Sequence, residues 1–233
     1  MINSVCVDTI LAIETSVPEA SVAMWRAGKR VFFEPFSSDR NHNSMVFEPL
    51  AKALELLEGE RLSLAVVGTG PGSYSGTRIG IAAAQGVALV HGCPAVGLGS
   101  LAATPVAREN RGEALPWAVG DARRGLYFIS RITAGGEAMA AELMDAEAFR
   151  GRLAEAADRV LFTLDDPGRL GLDADTERRV VRTTPEAGLL IDVWLGLAAE
   201  RRDELINQPL SPSYLRAPYT SKAKAGHPLL RKG

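Results

Sequence analysis

The sequence predicts an α/β protein of two lobes, each a mixed sheet flanked by helices. Three observations lead there. Three β-rich runs open the chain, a helix–strand–helix series follows them, and a weaker version of the same order begins near Pro116.

The first run, Thr9–Thr15, is apolar until its polar end and reads as a buried strand. Ala20–Trp25 and Arg30–Glu34 flank the turn Ala27–Lys29, which predicts a hairpin and an antiparallel meander. From Met45 to Leu57 the positions Val46, Leu50, Ala53, Leu54 and Leu57 recur at helical spacing. Ser44 is placed to cap this helix, but Pro49 would disrupt a regular turn at that depth, so the helix starts later or bends there. Leu64–Gly68 is the next strand. Ser75–Val90 is the second helix, stopped by Gly92–Pro94. This order matches the first half of the ribonuclease-H-like, actin-like ATPase (ASKHA) fold.

The second unit is less regular. Trp117–Gly120 and Leu126–Ile132 read as strands, with Ala134–Gly136 as a turn. Ala146–Ala157 reads as a helix, Val160–Leu164 as a strand and Pro185–Arg201 as a further helix. The polar stretch Pro105–Leu115 is the expected linker, giving lobes of 1–104 and 105–233. The segment after Pro209 is expected to be loosely ordered.

Composition narrows the function classes. Hydrophobic residues make up 46% and charged residues 23% of the 233, which describes an ordinary globular chain. A net charge of −2 argues against a protein that grips nucleic acid mainly by its own surface. Two cysteines, Cys6 and Cys93, exclude a disulfide framework and fit a reducing compartment. With no apolar run of membrane-spanning length, the expectation is a cytoplasmic protein with no membrane partner.

The run from Gly68 to Arg78 lies between a strand and a helix. Its glycines permit close approach, and a helix N-terminus offers N–H donors to an anion. No Gly-Lys-Ser/Thr follows, and no G-x-G-x-x-G spacing appears, so it is neither a P-loop nor a dinucleotide fingerprint. A phosphate cradle and a plain tight turn both fit. Behind it, Gly76, Gly80 and Ala84 form a small strip, and Ile79, Ala82, Ala83, Gly86, Val87 and Val90 an apolar stripe. A helix with two such faces has two surfaces to bury, one of them open to another protein.

The residues Gly70–Gly80 resemble the signature G-P-G-S-[FY]-T-G-x-R-I-G of the TsaB (YeaZ) family, with Ser75 in place of threonine. The resemblance continues through Ile10–Ser16, Val96–Gly97, Ser100–Leu101, Asp121–Tyr127 and Pro212–Arg216, and is faint from Thr133 to Thr184. It implies a non-catalytic subunit of the machinery that places threonylcarbamoyl on tRNA adenosine. It also implies pairing with a larger catalytic paralogue, TsaD, docking of a TsaE-like ATPase on that pair, a homodimer when alone, and contact with tRNA only through the complex. The implied partner surface is formed by the first two helices, with Phe47, Leu50, Leu54, Tyr74, Gly76, Arg78 and Gly80.

Glu14, Thr15, Ser16, Gly70, Gly72 and Ser73 are the candidate nucleotide or anion contacts. Glu14 stands where relatives carry aspartate, which counts against nucleotide binding by this chain alone. ATP or ADP is expected, if at all, at the interface of the complex. His42, His91 and His227 fall at no metal-ligand spacing, so no metal site and no catalytic residue is predicted. The turn at Asp121–Arg124 is expected to lie between lobes, with Arg123 pairing a carboxylate. The basic tail (Lys222, Lys224, Arg231, Lys232) reads as a solvated segment or a phosphate contact. The competing function is an independent ATPase, kinase or peptidase-like enzyme of the same superfold.

Overall fold

The computed structural model describes residues 9–37, 45–110 and 115–216. Cys6, His42, the Ser44 cap, His227 and the Lys222–Lys232 tail lie outside the described residues.

Strand β1 (Thr9–Glu14) is buried along its whole length, which is why it reads as an unbroken apolar run. It pairs antiparallel with β2 (Glu19–Arg26), which pairs antiparallel with β3 (Lys29–Ser37). Ala27 and Gly28 both take positive φ, as the tight hairpin between β2 and β3 requires. On its other edge β1 pairs parallel with β4 (Leu64–Gly68), and β4 with β5 (Ala95–Leu98). The sheet order is β3-β2-β1-β4-β5.

Helix α1 (Phe47–Glu55) starts after Ser44, as Pro49 demands; the proline sits in the first turn, where its missing N–H costs no hydrogen bond. Helix α2 (Tyr74–His91) is capped by Ser73, whose Oγ accepts from Gly76 N at 3.1 Å, and it ends on Gly92 in the left-handed region. Both helices cover one face of the sheet. Leu11, Ile13, Val22 and Val67 meet Leu50, Ala53, Ile81 and Ala84 there.

A short helix α3 (Pro105–Glu109) occupies much of the expected linker. Thr104 caps it and Ala107 is buried, so this part is packed structure. The second sheet uses β6 (Trp117–Asp121), β7 (Leu126–Arg131), β8 (Glu142–Asp145), β9 (Leu161–Thr163) and β10 (Val180–Arg182). Its order, β10-β9-β6-β7-β8, repeats that of the first sheet: two antiparallel neighbours on one side of the leading strand and two parallel ones on the other. Helix α4 (Ala146–Glu155) packs Phe149 and Leu153 on one face, and α5 (Ala174–Arg179) precedes β10.

The single helix expected at Pro185–Arg201 is two, α6 (Ala187–Gly196) and α7 (Ala199–Ile206). Leu197 and Ala198 between them are extended. These helices do not join the second sheet. Ala187, Leu190, Ile191 and Trp194 cover the open face of the first sheet against Ile10, Ala12, Leu64 and Val66. The boundary drawn from sequence at 104/105 therefore assigns α6 to the wrong lobe, because an even-numbered apolar face of β1 needs its own cover. Among the described residues no helix is long and apolar enough to cross a membrane.

Candidate functional site

A cleft of about 390 Å3 opens between the two sheets. One wall is the end of β1 and the start of α2, with Ser16, Gly72 and Ser73. The other is the β6–β7 turn and the β9 end, with Asp121, Arg123, Asp165 and Arg169. The turn is held by Asp121: its Oδ1 accepts from Arg123 N at 2.7 Å and its Oδ2 pairs with the Arg123 guanidinium at 3.2 Å. Arg123 thus pairs a carboxylate as expected. The turn itself lies within the second sheet, because β6 and β7 are hydrogen-bonded neighbours.

Of the six predicted anion contacts, Ser16, Gly72 and Ser73 line the cleft. The other three form the wall behind it. Gly70 N donates to Ser100 Oγ at 3.0 Å, and Gly70 O accepts from Ser100 N at 2.9 Å. The Thr15 hydroxyl donates to Gly76 O at 2.8 Å. Ser73 Oγ is committed to capping α2, and Ser73 N to Ser16 O. These polar groups are spent on one another and on the neighbouring residues Thr15, Ser16 and Ser100, which is the behaviour of a tight turn. Ser16 Oγ differs: it is buried without a hydrogen-bond partner among the described residues, at the foot of the cleft.

Glu14 is wholly buried. Its Oε1 accepts from Ser16 N at 2.7 Å, while Oε2 has no hydrogen-bond partner among the described residues. Gly68 makes room for the carboxyl, since a Cβ there would run into Oε2. Burial pushes the Glu14 pKa above the ordinary 4.5, against the opposing hydrogen bond from the Ser16 N–H. The folded state therefore holds this proton more tightly than the unfolded chain. The stabilisation is complete below pH 4.5 and is lost as pH rises to the folded value. Within that window wild-type stability should fall by up to about 1.4 kcal/mol per pH unit from this group. Glu14→Gln should remove that slope, which denaturant unfolding of both proteins from pH 4 to 8 will measure. Equal slopes would show that Glu14 is not held neutral.

The predicted partner residues divide as well. Phe47 (57% exposed), Tyr74 (56%) and Arg78 stand on the surface. Leu50 is buried and Leu54 is partly buried against the first core. Gly76 and Gly80 are buried inside the chain, against Thr15. A Cβ at Gly76 would meet the Thr15 carbonyl, and one at Gly80 the Thr15 hydroxyl. The small strip exists so that α2 can lie on the Thr15–Ser16 loop. The surface that remains is apolar. A groove of about 530 Å3 between α1 and α2 is lined by Phe47, Ile79, Ala82, Ala83, Gly86 and Val87. Leu89 and Val90 beyond it are 84% and 80% exposed.

Sequence reasoning missed a strap. Residues after Pro209, expected to be loose, cross from one lobe to the other. Leu210 packs on the first core, and Ser213 N donates to Thr69 O at 2.8 Å. Tyr214 stacks on Tyr74 at 5.3 Å, Leu215 enters the second core, and Arg216 donates to Arg123 O at 3.1 Å. The Pro212–Arg216 motif was the signal available for it.

Fold and cleft together define a two-lobed protein of the actin-like, ribonuclease-H-like class. Residues 33–152, just over half the chain, match the model of the family described as TsaD: tRNA N6-adenosine threonylcarbamoyltransferase. The chain belongs to this family, and its motifs resemble those of the TsaB (YeaZ) branch. It is 36% identical over 96 residues to the tRNA threonylcarbamoyladenosine biosynthesis protein TsaB of Escherichia coli (strain K12); the match spans 40% of each chain. The fold is similar to that of an uncharacterized Pseudomonas aeruginosa protein with similarity to peptidase YEAZ. That likeness has a TM-score of 0.67 and 23% identity, over 90% of this chain and 100% of the other.

Proposed function

We propose that this chain is a non-catalytic subunit in the formation of threonylcarbamoyladenosine in tRNA, and that it supports a TsaD-like catalytic paralogue by pairing with it. The observation that carries the reading is the apolar face of α1 and α2, where Phe47, Leu89 and Val90 stand in solvent beside an apolar groove. Monomeric surfaces rarely expose a continuous apolar patch of this kind. The same face would serve for self-pairing when the paralogue is missing, and a TsaE-like ATPase would dock on the completed pair. Any ATP or ADP would be shared at the interface of the complex, because the polar groups of the glycine loop described above are spent within the chain. The setting is the cytoplasm.

Co-expression with the cognate TsaD-like protein should yield a stable heterodimer. Modification of tRNA by the purified catalytic proteins should fall at least tenfold when this chain is omitted. A full rate without it, or magnesium-dependent ATP hydrolysis by the isolated chain, would overturn the reading.

A further inference from the structure

The chain leaves the first lobe at α3 and returns to it between β10 and α6. These crossings lie side by side, because Glu186 N donates to Ala103 O at 2.9 Å. Two adjacent connections leave the lobes free to rock about them. The exposed Arg182–Glu19 pair at 3.2 Å restrains that motion only weakly. The strap is a further crossing, and it is seated on both lobes. On the first, Leu210 packs on the core beside Gly97, where a Cβ would meet its side chain, and the Ser213 and Thr69 hydroxyls lie 3.0 Å apart. On the second, Leu215 lines the cleft together with Arg123, whose carbonyl accepts from Arg216. The short run from Leu210 to Arg216 therefore sets how far the cleft can open.

Between these anchors the strap meets the docking face. Tyr214 stacks on Tyr74 at 5.3 Å, with the rings 20° apart. The Tyr74 hydroxyl accepts from Arg78 Nη1 at 3.1 Å, and the Arg78 guanidinium lies 5.3 Å from the centre of the Tyr74 ring. Tyr74, Arg78 and Ala82 succeed one another at four-residue spacing, so they share a face of α2, and Ala82 lines the apolar groove. A partner seated in the groove continues onto Tyr74, Arg78 and Tyr214. All three are exposed, Tyr214 by 37%. Covering them excludes water from the ring stack and from the arginine–ring contact, and a cation over a ring binds more tightly once desolvated. Docking has no need to break the stack; it strengthens it.

We propose that Tyr74, Arg78 and Tyr214 form the end of the partner surface, and that a partner docked there draws the two lobes together over the cleft through the strap. The inference rests on the reading above in taking the TsaD-like protein as that partner. The coupling is reciprocal: whatever loosens the strap on the second lobe weakens docking on the first.

Two measurements on the full chain test it. The first is the spacing of the lobes, from pulsed electron spin resonance between labels at Pro18→Cys and Arg169→Cys, with Cys6 and Cys93 replaced by Ser. Both labelled positions line the cleft, one on each lobe. Adding the TsaD-like protein should shorten and narrow the distance distribution. In the chain alone, Tyr74→Ala and Leu215→Ala should each broaden it, and Tyr214→Phe, which keeps the ring, should not. The second measurement is the dissociation constant of the heterodimer. Leu215→Ala with Arg216→Gln, changed on the second lobe and outside the groove, should weaken pairing about fivefold or more. Arg216→Gln alone, at an exposed side chain that leaves the fold intact, should act in the same direction. Wild-type pairing in both variants overturns the proposal, and so does a lobe spacing that neither the partner nor Tyr74→Ala alters. A wild-type chain that fails to pair sinks the proposed function; the response of the lobe spacing to Tyr74→Ala then still upholds or overturns the strap's part.

Discussion

Leu89→Glu should abolish pairing with the catalytic paralogue while leaving the chain folded. Leu89 is 84% exposed, so the substitution adds charge to solvent and should change stability by less than about 0.5 kcal/mol. In a closed interface the same carboxylate would be desolvated with no partner. Such a change costs about 2–4 kcal/mol, or a 30- to 1,000-fold loss of affinity. Phe47→Glu, in the lining of the groove, should act in the same direction. The measurement is the dissociation constant of the heterodimer, with thermal unfolding of the isolated variant as its companion. Unchanged affinity in both variants would remove α1 and α2 from the interface.

Gly76→Ala should destabilise the fold by about 2–4 kcal/mol, because the new methyl meets a backbone carbonyl that cannot rotate away. The sign is the informative part. In an exposed helix interior, glycine to alanine stabilises by about 1 kcal/mol. Gly86 provides that comparison within α2: nothing lies within 4 Å of a Cβ there. Gly86→Ala should therefore raise the unfolding midpoint and Gly76→Ala should lower it. If both raise it, the close contact between α2 and the Thr15 carbonyl is not present in solution.

This pair also shows where sequence reading stops. Gly76, Gly80 and Gly86 all read as small residues on one helix, and spacing suggested that some of them faced a partner. Only the placement of the Thr15–Ser16 loop separates a glycine that admits a neighbouring backbone from one in open space. The strands β1 and β4 were legible because both their faces are buried, which leaves an unbroken apolar signature. Strands β8 and β10 were not. They are short, and most of their residues are exposed or half-buried, so alternation carries little signal. The break between α6 and α7 was hidden because Leu197 stays buried, so the apolar pattern runs through the interruption.

In the site, the glycine run located one wall of the cleft. The opposite wall, with Asp165 and Arg169, comes from a stretch where the family resemblance is faint. Charged residues in surface segments have no period to betray them. Glu14 was legible as an unusual residue but not as a buried one, since its burial depends on the space left by Gly68.

The return of α6 to the first sheet has a consequence for synthesis. Until residues 187–196 leave the ribosome, the face of β1 and β4 bearing Ile10, Ala12, Leu64 and Val66 has no lasting cover. The first-made half of the protein must wait for nearly the whole chain before its core closes, and a nascent chain halted near residue 104 would be a substrate for chaperones.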